Sequence, residues 1–175
     1  ISITLDERQH ATKRLPSDTM SPLQGPALVV VNDARFSHDD WDRIQSISRS
    51  GKELDASKTG RFGLGFNSVY NVTDWPGILT LDRVGFFDPH LNTVEEASSD
   101  SPGKYWTLSE GWEEYPDLLA PFIEYELPKG TESIKHTVFR LPLRTDDAAK
   151  KSEIWKEPYT PEDFDSLVSK IIDKA

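Results

Sequence analysis

Apolar and polar positions alternate along residues 1–5, Ile1, Ser2, Ile3, Thr4 and Leu5, which predicts a strand with one buried face. Residues 10–24 are polar, hold two prolines and close on Gly25 and Pro26, so they read as a loop. The next five residues, Ala27 through to Val31, are apolar throughout and of strand length, as expected in the middle of a sheet; Asn32 and Asp33 then hand the strand to a turn. A helix follows, with Ser37 as N-cap, Asp40 closing a capping-box-like pattern, and Phe36 and Trp41 as a hydrophobic staple. Trp41, Ile44 and Ile47 share one face at helical spacing, which makes Trp41 a core anchor. Asp39, Asp40 and Asp42 read as an acidic first turn that complements the helix dipole rather than as a metal cluster. Residues 78–81 and 84–87 predict paired strands about Asp82 and Arg83. Residues 88–117 are acidic and rich in Ser, Pro and Gly, and predict a long insertion loop, spanning 88–120 in all, with Trp106 and Trp112 as isolated anchors. Alternation returns at 123–127 and 136–143, giving two more strands. In the last helix Thr160 caps, Pro161 takes the first position, Tyr159 staples to Phe164, and Phe164, Leu167, Val168, Ile171 and Ile172 form the expected buried stripe.

Composition narrows what such a chain does. Its 175 residues suit one domain with a proper core, and 36% hydrophobic with 29% charged residues fits a soluble globular protein. A net charge of -10 disfavours non-specific binding to nucleic acid or anionic membrane. The absence of cysteine excludes a disulfide framework, a thiolate nucleophile and a zinc ribbon, and is compatible with the cytoplasm. No apolar run reaches the roughly 20 residues that span a bilayer, and Ile1 begins no signal peptide. Starting on a strand pattern without methionine is expected of a piece excised from a longer polypeptide. The four histidines, at 10, 38, 90 and 136, have no ligand spacing with one another, and His90, in Asp88-Pro89-His90 on a turn, reads as structural. No Ser/His/Asp grouping is defined by the sequence.

The candidate chemistry sits at residues 60–70, Gly-Arg-Phe-Gly-Leu-Gly-Phe-Asn-Ser-Val-Tyr. Gly60, Gly63 and Gly65 leave a backbone with little side-chain cover, able to approach a ligand closely. A short helix is predicted over 66–72, with Asn67 and Ser68 in its first turn. A glycine-rich turn that opens a helix points unpaired amides outward, so one reading is a phosphate cradle. The other is a tight turn packed by Phe62, Leu64 and Phe66. The order G-x-x-G-x-G is not the dinucleotide fingerprint, and no G-x-x-x-x-G-K-[ST] is present. Lys52 and Lys58, just upstream, can reach either a phosphate or solvent.

Taken together, Asp39-Asp40-Trp41, Ser48-Arg49-Ser50, Lys58-Thr59-Gly60-Arg61-Phe62-Gly63-Leu64-Gly65-Phe66-Asn67-Ser68-Val69-Tyr70, Thr73-Asp74-Trp75-Pro76, Phe87-Asp88-Pro89-His90 and the run from His136 to Arg144 resemble the sacsin repeat domain. That family looks like the GHKL superfamily of ATP-binding folds, with gyrase, the ninety-kilodalton heat-shock chaperones, histidine kinases and MutL. The resemblance implies an α+β two-layer sandwich, the Bergerat fold, with a mixed, mostly antiparallel sheet and helices on one face. It implies ATP or ADP, with magnesium, as ligand. The adenine contact falls on Asn32 or Asp33, since Asn32-Asp33-Ala34-Arg35-Phe36 stands where the family has Asp-x-Gly-x-Gly. Gly60, Arg61, Phe62, Gly63, Gly65 and Phe66 match the phosphate-facing turn, Thr137 the threonine beneath adenine, and Ser50 and Gly51 the start of a short lid. The helix that precedes the first strand in the family, with its general-base glutamate and magnesium-binding asparagine, is not in this chain, so poor ATPase activity is expected. The function implied is a chaperone-like, ATP-binding module of a larger intracellular protein with client proteins as partners; the alternative is a non-catalytic scaffold domain.

Overall fold

A computed structural model describes residues 1–37, 39–41, 44 and 66–173. Six strands form one sheet: β1 (Ser2–Asp6), β2 (Ala27–Asn32), β3 (Gly77–Thr80), β4 (Arg83–Phe87), β5 (Gly103–Thr107) and β6 (Thr137–Pro142). Their order is β1-β2-β6-β3-β4-β5, and every pairing is antiparallel. The helices are α1 (Leu108–Glu113), α2 (Pro116–Leu119), α3 (Asp146–Lys151) and α4 (Pro161–Ile172), and a 3-10 turn spans Asp18–Gln24. Residues 39–41 and 44 are helical, as are 66–71. The class is α+β, as expected, but the sheet is antiparallel throughout and helical segments pack on both of its faces rather than on one.

Side chains alternate across each strand, so the paired register sorts them into two faces. On the first, Val29, Val138, Leu79, Val84, Phe86 and Trp106 pack against Met20, Leu23, Leu108, Leu118, Leu119 and Phe122 from the helical segments. Arg140 shares this face, fully buried, and donates to the carbonyls of Leu23 and Gly25. Burial disfavours its charge and brings the guanidinium down to about 10, so this cation serves to fasten the 3-10 turn to the sheet. The second face carries packing too. There Trp41, Ile44 and Phe66 cover Ile78 and Phe87, and Leu28, Leu141 and Leu143 meet Val72, Tyr159 and Phe164.

Both predicted helix starts are present. Ser37 and Asp40 exchange the capping-box hydrogen bonds at 2.8 and 3.2 Å, and the Phe36 and Trp41 rings meet edge-on at 5.9 Å. Thr160 and Asp163 form a second box on α4.

Four further expectations need correction. Residues 10–24 are not loop throughout, because Asp18–Gln24 form a capped 3-10 helix with Met20 and Leu23 buried. The stretch 88–117 is no plain loop, because it contains β5, α1 and the start of α2. β5 alternates Lys104, Tyr105, Trp106 and Thr107, too few residues to stand out from an acidic background. Residues 123–126 are turn and Leu127 is irregular, so the stretch is not a strand; Glu126 sits at φ 65°, outside extended geometry. Their alternation arises because Tyr125 and Leu127 pack inward while Ile123 is exposed. Finally, no residue of α4 is buried. Phe164 packs on the second face, but Leu167, Ile171 and Ile172 are 47%, 60% and 68% exposed. Capping starts this helix, and its apolar stripe then runs beyond the sheet that would cover it. His38, Asp42, Ile47, Ser50, Gly51, Lys52, Lys58, Gly60, Arg61, Phe62, Gly63, Leu64 and Gly65 lie outside the described residues.

Candidate functional site

The C-terminal end of β2, the N-terminal end of β6 and the C-terminal end of β3 come level on the second face. There Asn32 pairs with Thr137 and Thr137 pairs with Thr80, a polar row above the apolar row Val30, Phe139 and Ile78. Thr137 and Thr80 are fully buried. The Thr137 hydroxyl donates to the Ala34 carbonyl at 2.7 Å, so its oxygen accepts from Thr80 Oγ1 at 2.9 Å. Asn32 Oδ1 accepts from the Ala34 N–H at 2.9 Å. The turn that follows β2 is therefore shaped by its own side chain and fastened to β6. Asp33 is exposed on that turn.

Of the other sequence-predicted residues, Phe66 is the one described. It is 9% exposed, with its ring edge-on to Phe87 at 5.7 Å and to Tyr70 at 6.3 Å. Phe66, Phe36 and Phe139 belong to one apolar cluster, and Phe139 is two residues along β6 from Thr137. Asn32, Thr137 and Phe66 thus belong to one face of the sheet. Among the described residues no group of three or more His, Asp or Glu is placed to hold a metal ion.

A second constellation lies beyond the opposite ends of β3 and β6, and sequence reasoning missed it. Asp74 precedes β3, His90 follows β4, Arg144 follows β6 and Ser152 caps α3. Asp74, Arg144 and Ser152 are at most 1% exposed. Arg144 Nε and the Ser152 hydroxyl donate to Asp74 Oδ1 at 2.8 and 3.1 Å, and His90 Nε2 sits 3.5 Å from Asp74 Oδ2. Burial alone would push the Asp74 carboxyl up, but the hydrogen bonds from His90 and Arg144 outweigh it and hold the group below its usual range. His90 moves the other way, raised first by the Asp74 hydrogen bond.

This is not an acyl-transfer relay. Such a relay sets the imidazole between the hydroxyl and the carboxylate, one ring nitrogen to each. Here the same Nε2 faces both, at 3.4 Å from Ser152 Oγ, and the hydroxyl hydrogen goes directly to Asp74. Ser152 Oγ also accepts from the amides of Ile154 and Trp155, which commits it to ending α3. Nearby, the buried Asp88 carboxylate accepts from the amides of His90, Asn92, Thr93 and Val94 and shapes their turn. The signal for the cluster was present only as separate short motifs around Asp74, His90 and Arg144, with about 15 to 55 residues between them; only folding joins them.

No helix among the described residues is long and apolar enough to cross a membrane. A family model described as the sacsin domain matches residues 1–175. The chain is 39% identical over 174 residues to sacsin of Homo sapiens, which covers 95% of this chain and 4% of that protein. It therefore spans a small part of the length of the curated relative it matches, and on these matches the chain belongs to the sacsin domain family.

Proposed function

We propose that this chain is a nucleotide-binding, chaperone-like module of GHKL type within a larger sacsin-like protein of the cytoplasm. Its ligand is ATP or ADP, with the phosphates held by the turn from Gly60 to Phe66 and the adenine end near Asn32, Asp33 and Thr137. The observation that carries this reading is the sequence Gly60-Arg61-Phe62-Gly63-Leu64-Gly65, which runs directly into a helix on the face that also bears the Asn32, Thr137 and Thr80 row. The residues fit an adenine in one specific respect. Asn32 Oδ1 spends one lone pair on the Ala34 N–H and keeps a second for an amino group. Ser50 and Gly51 are assigned to a short lid, and magnesium, when bound with ATP, would neutralise phosphate charge. Client proteins are the expected partners.

One observation favours a scaffold domain without turnover. The Asn32 amide and the Thr137 hydroxyl both support the Ala34 turn in the protein alone, which is a sufficient architectural reason for each. Calorimetric titration with ATP and ADP in magnesium buffer separates the two. The nucleotide reading expects saturable binding that Gly63→Val weakens by about tenfold or more, because a side chain intrudes where backbone amides approach phosphate. Absence of binding by the chain and by the longer protein that carries it would leave the scaffold reading.

A further inference from the structure

The connections that hold the Asp74 cluster also enclose a groove of about 370 Å³, between the Asp18–Gln24 turn, the turn after β4 and α3. That volume suits a small molecule. Pro22, Trp75 and Ala148 give the groove apolar walls, and Asp147 and Lys151 reach it from one face of α3, a turn apart. Trp75 is buried, and its indole N–H has no hydrogen-bond partner among the described residues.

The charged groups lining the groove differ in whether they already have partners. Both of its carboxylates have a cation: Arg144 lies 2.8 Å from Asp74, and Lys150 lies 3.3 Å from Asp147. The cationic donors are uncommitted. His90 turns Nε2 to Asp74 and Ser152, which leaves Nδ1 without a partner among the described residues. Its ring is only 9% exposed, so that nitrogen has little water to turn to. Lys151 makes no ion pair among the described residues. Asp74 holds the imidazole toward its charged form, and Asp88 in the same turn and Glu153 just past α3 act in the same direction. Two cationic donors, no uncommitted carboxylate in the lining and apolar walls call for a compact monoanion with an apolar tail. A dianion fits less well, because the charges of Asp88 and Glu153 stand close to His90.

We propose that this groove binds a small carboxylate that carries an aliphatic group, with one oxygen accepting from His90 Nδ1 and Lys151 balancing the charge. A free acid and the C-terminal residue of a peptide present this same chemistry. The groove lies beyond the opposite ends of β3 and β6 from the row of Asn32, Thr137 and Thr80, so the proposal is independent of the nucleotide reading.

The test is an amide NMR titration of the chain near pH 6, in buffer free of carboxylate and phosphate. The probes are isovalerate, its neutral amide, inorganic phosphate, and acetyl-Gly-Gly-Leu with a free or an amidated C-terminus. Isovalerate is expected to saturate with a Kd on the order of 1 mM, moving the amides of residues 90–94 and 145–152 and the Trp75 indole N–H. Its neutral amide should bind about tenfold more weakly or not at all, the scale of a hydrogen bond to a charged group. Lys151→Gln, at an exposed position, should weaken isovalerate by about two- to fivefold. His90→Gln should weaken it by about tenfold, as should raising the pH to about 9, where the imidazole loses its second proton. Tighter binding of the free peptide than of isovalerate, abolished by amidation, assigns the site to chain ends; binding of isovalerate without the peptide assigns it to a free acid. The proposal is overturned by the absence of saturable shifts in the groove with both carboxylates, by equal binding of isovalerate and its amide, or by tighter binding of phosphate. Affinity unchanged in both variants overturns it too, and if His90→Gln shows no cooperative melt, Lys151→Gln alone decides.

Discussion

Gly85 lies in β4 beneath the Trp41 indole, and a Cβ built there would stand 2.8 Å from a ring carbon. No methyl fits without moving the anchor of the second face. Gly85→Val should therefore cost about 1–3 kcal/mol by overpacking, seen as a lower urea midpoint with an unchanged slope, and the Trp41 indole resonance should shift. A substitution without effect would mean that Trp41 repacks freely. The Asp74 and His90 pair makes a separate prediction in pH. His90 is raised in the folded chain, so its stabilising contribution is complete below the unfolded value near 6.5 and is lost as pH rises through the folded one. Asp74 is lowered, so its contribution is complete above the ordinary carboxylate value of about 4 and is lost as pH falls through the folded one. The cluster is thus best satisfied between about pH 4 and 6.5. Chemical denaturation from pH 6 to 9 should show a decline that His90→Gln flattens; parallel profiles for the two proteins would remove His90 from the effect.

Elements differ in how far the sequence disclosed them. The start of α4 was legible because capping is local: Thr160, Pro161 and Asp163 complete it within four residues. Thr160→Ala should cost about 1 kcal/mol, and because α4 buries so little the loss should appear mainly as faster amide exchange within residues 161–172. Exchange unchanged there would mean that packing, not the cap, holds the helix. The fate of the apolar stripe of α4 was not legible, since periodicity states which residues share a face and not whether a surface meets that face. Similarly, Tyr125 in a turn and Leu127 just after it pack inward and mimic a strand. Strand β6 was legible, because alternation over 136–143 is longer than any turn sustains. Of the candidate site, Asn32 and Thr137 fall into register as neighbours. The buried cluster of Asp74, His90, Arg144 and Ser152 was invisible, because its members come from four separate connections.

Across the whole molecule, one detail of strand order has consequences for how the chain reaches this state. β6 is the last strand in sequence yet lies in the interior of the sheet, between β2 and β3. Until it is in place, β1 and β2 form one pair and β3 to β5 form a separate meander, each with an open interior edge. During synthesis neither half can be sealed before residues 137–142 emerge, and the contacts that join β2 to β6 span more than a hundred residues. Such non-local closure is slow, and the waiting edges of Val29 to Val31 and Ile78 to Leu79 are apolar templates for a wrong strand. A chain ended after residue 136 should lose cooperative melting altogether rather than merely soften, as circular dichroism would record. The nascent domain is thus at its most vulnerable to misassembly just before residues 137–142 emerge, and a chaperone acting on it would do so at the central gap of the sheet.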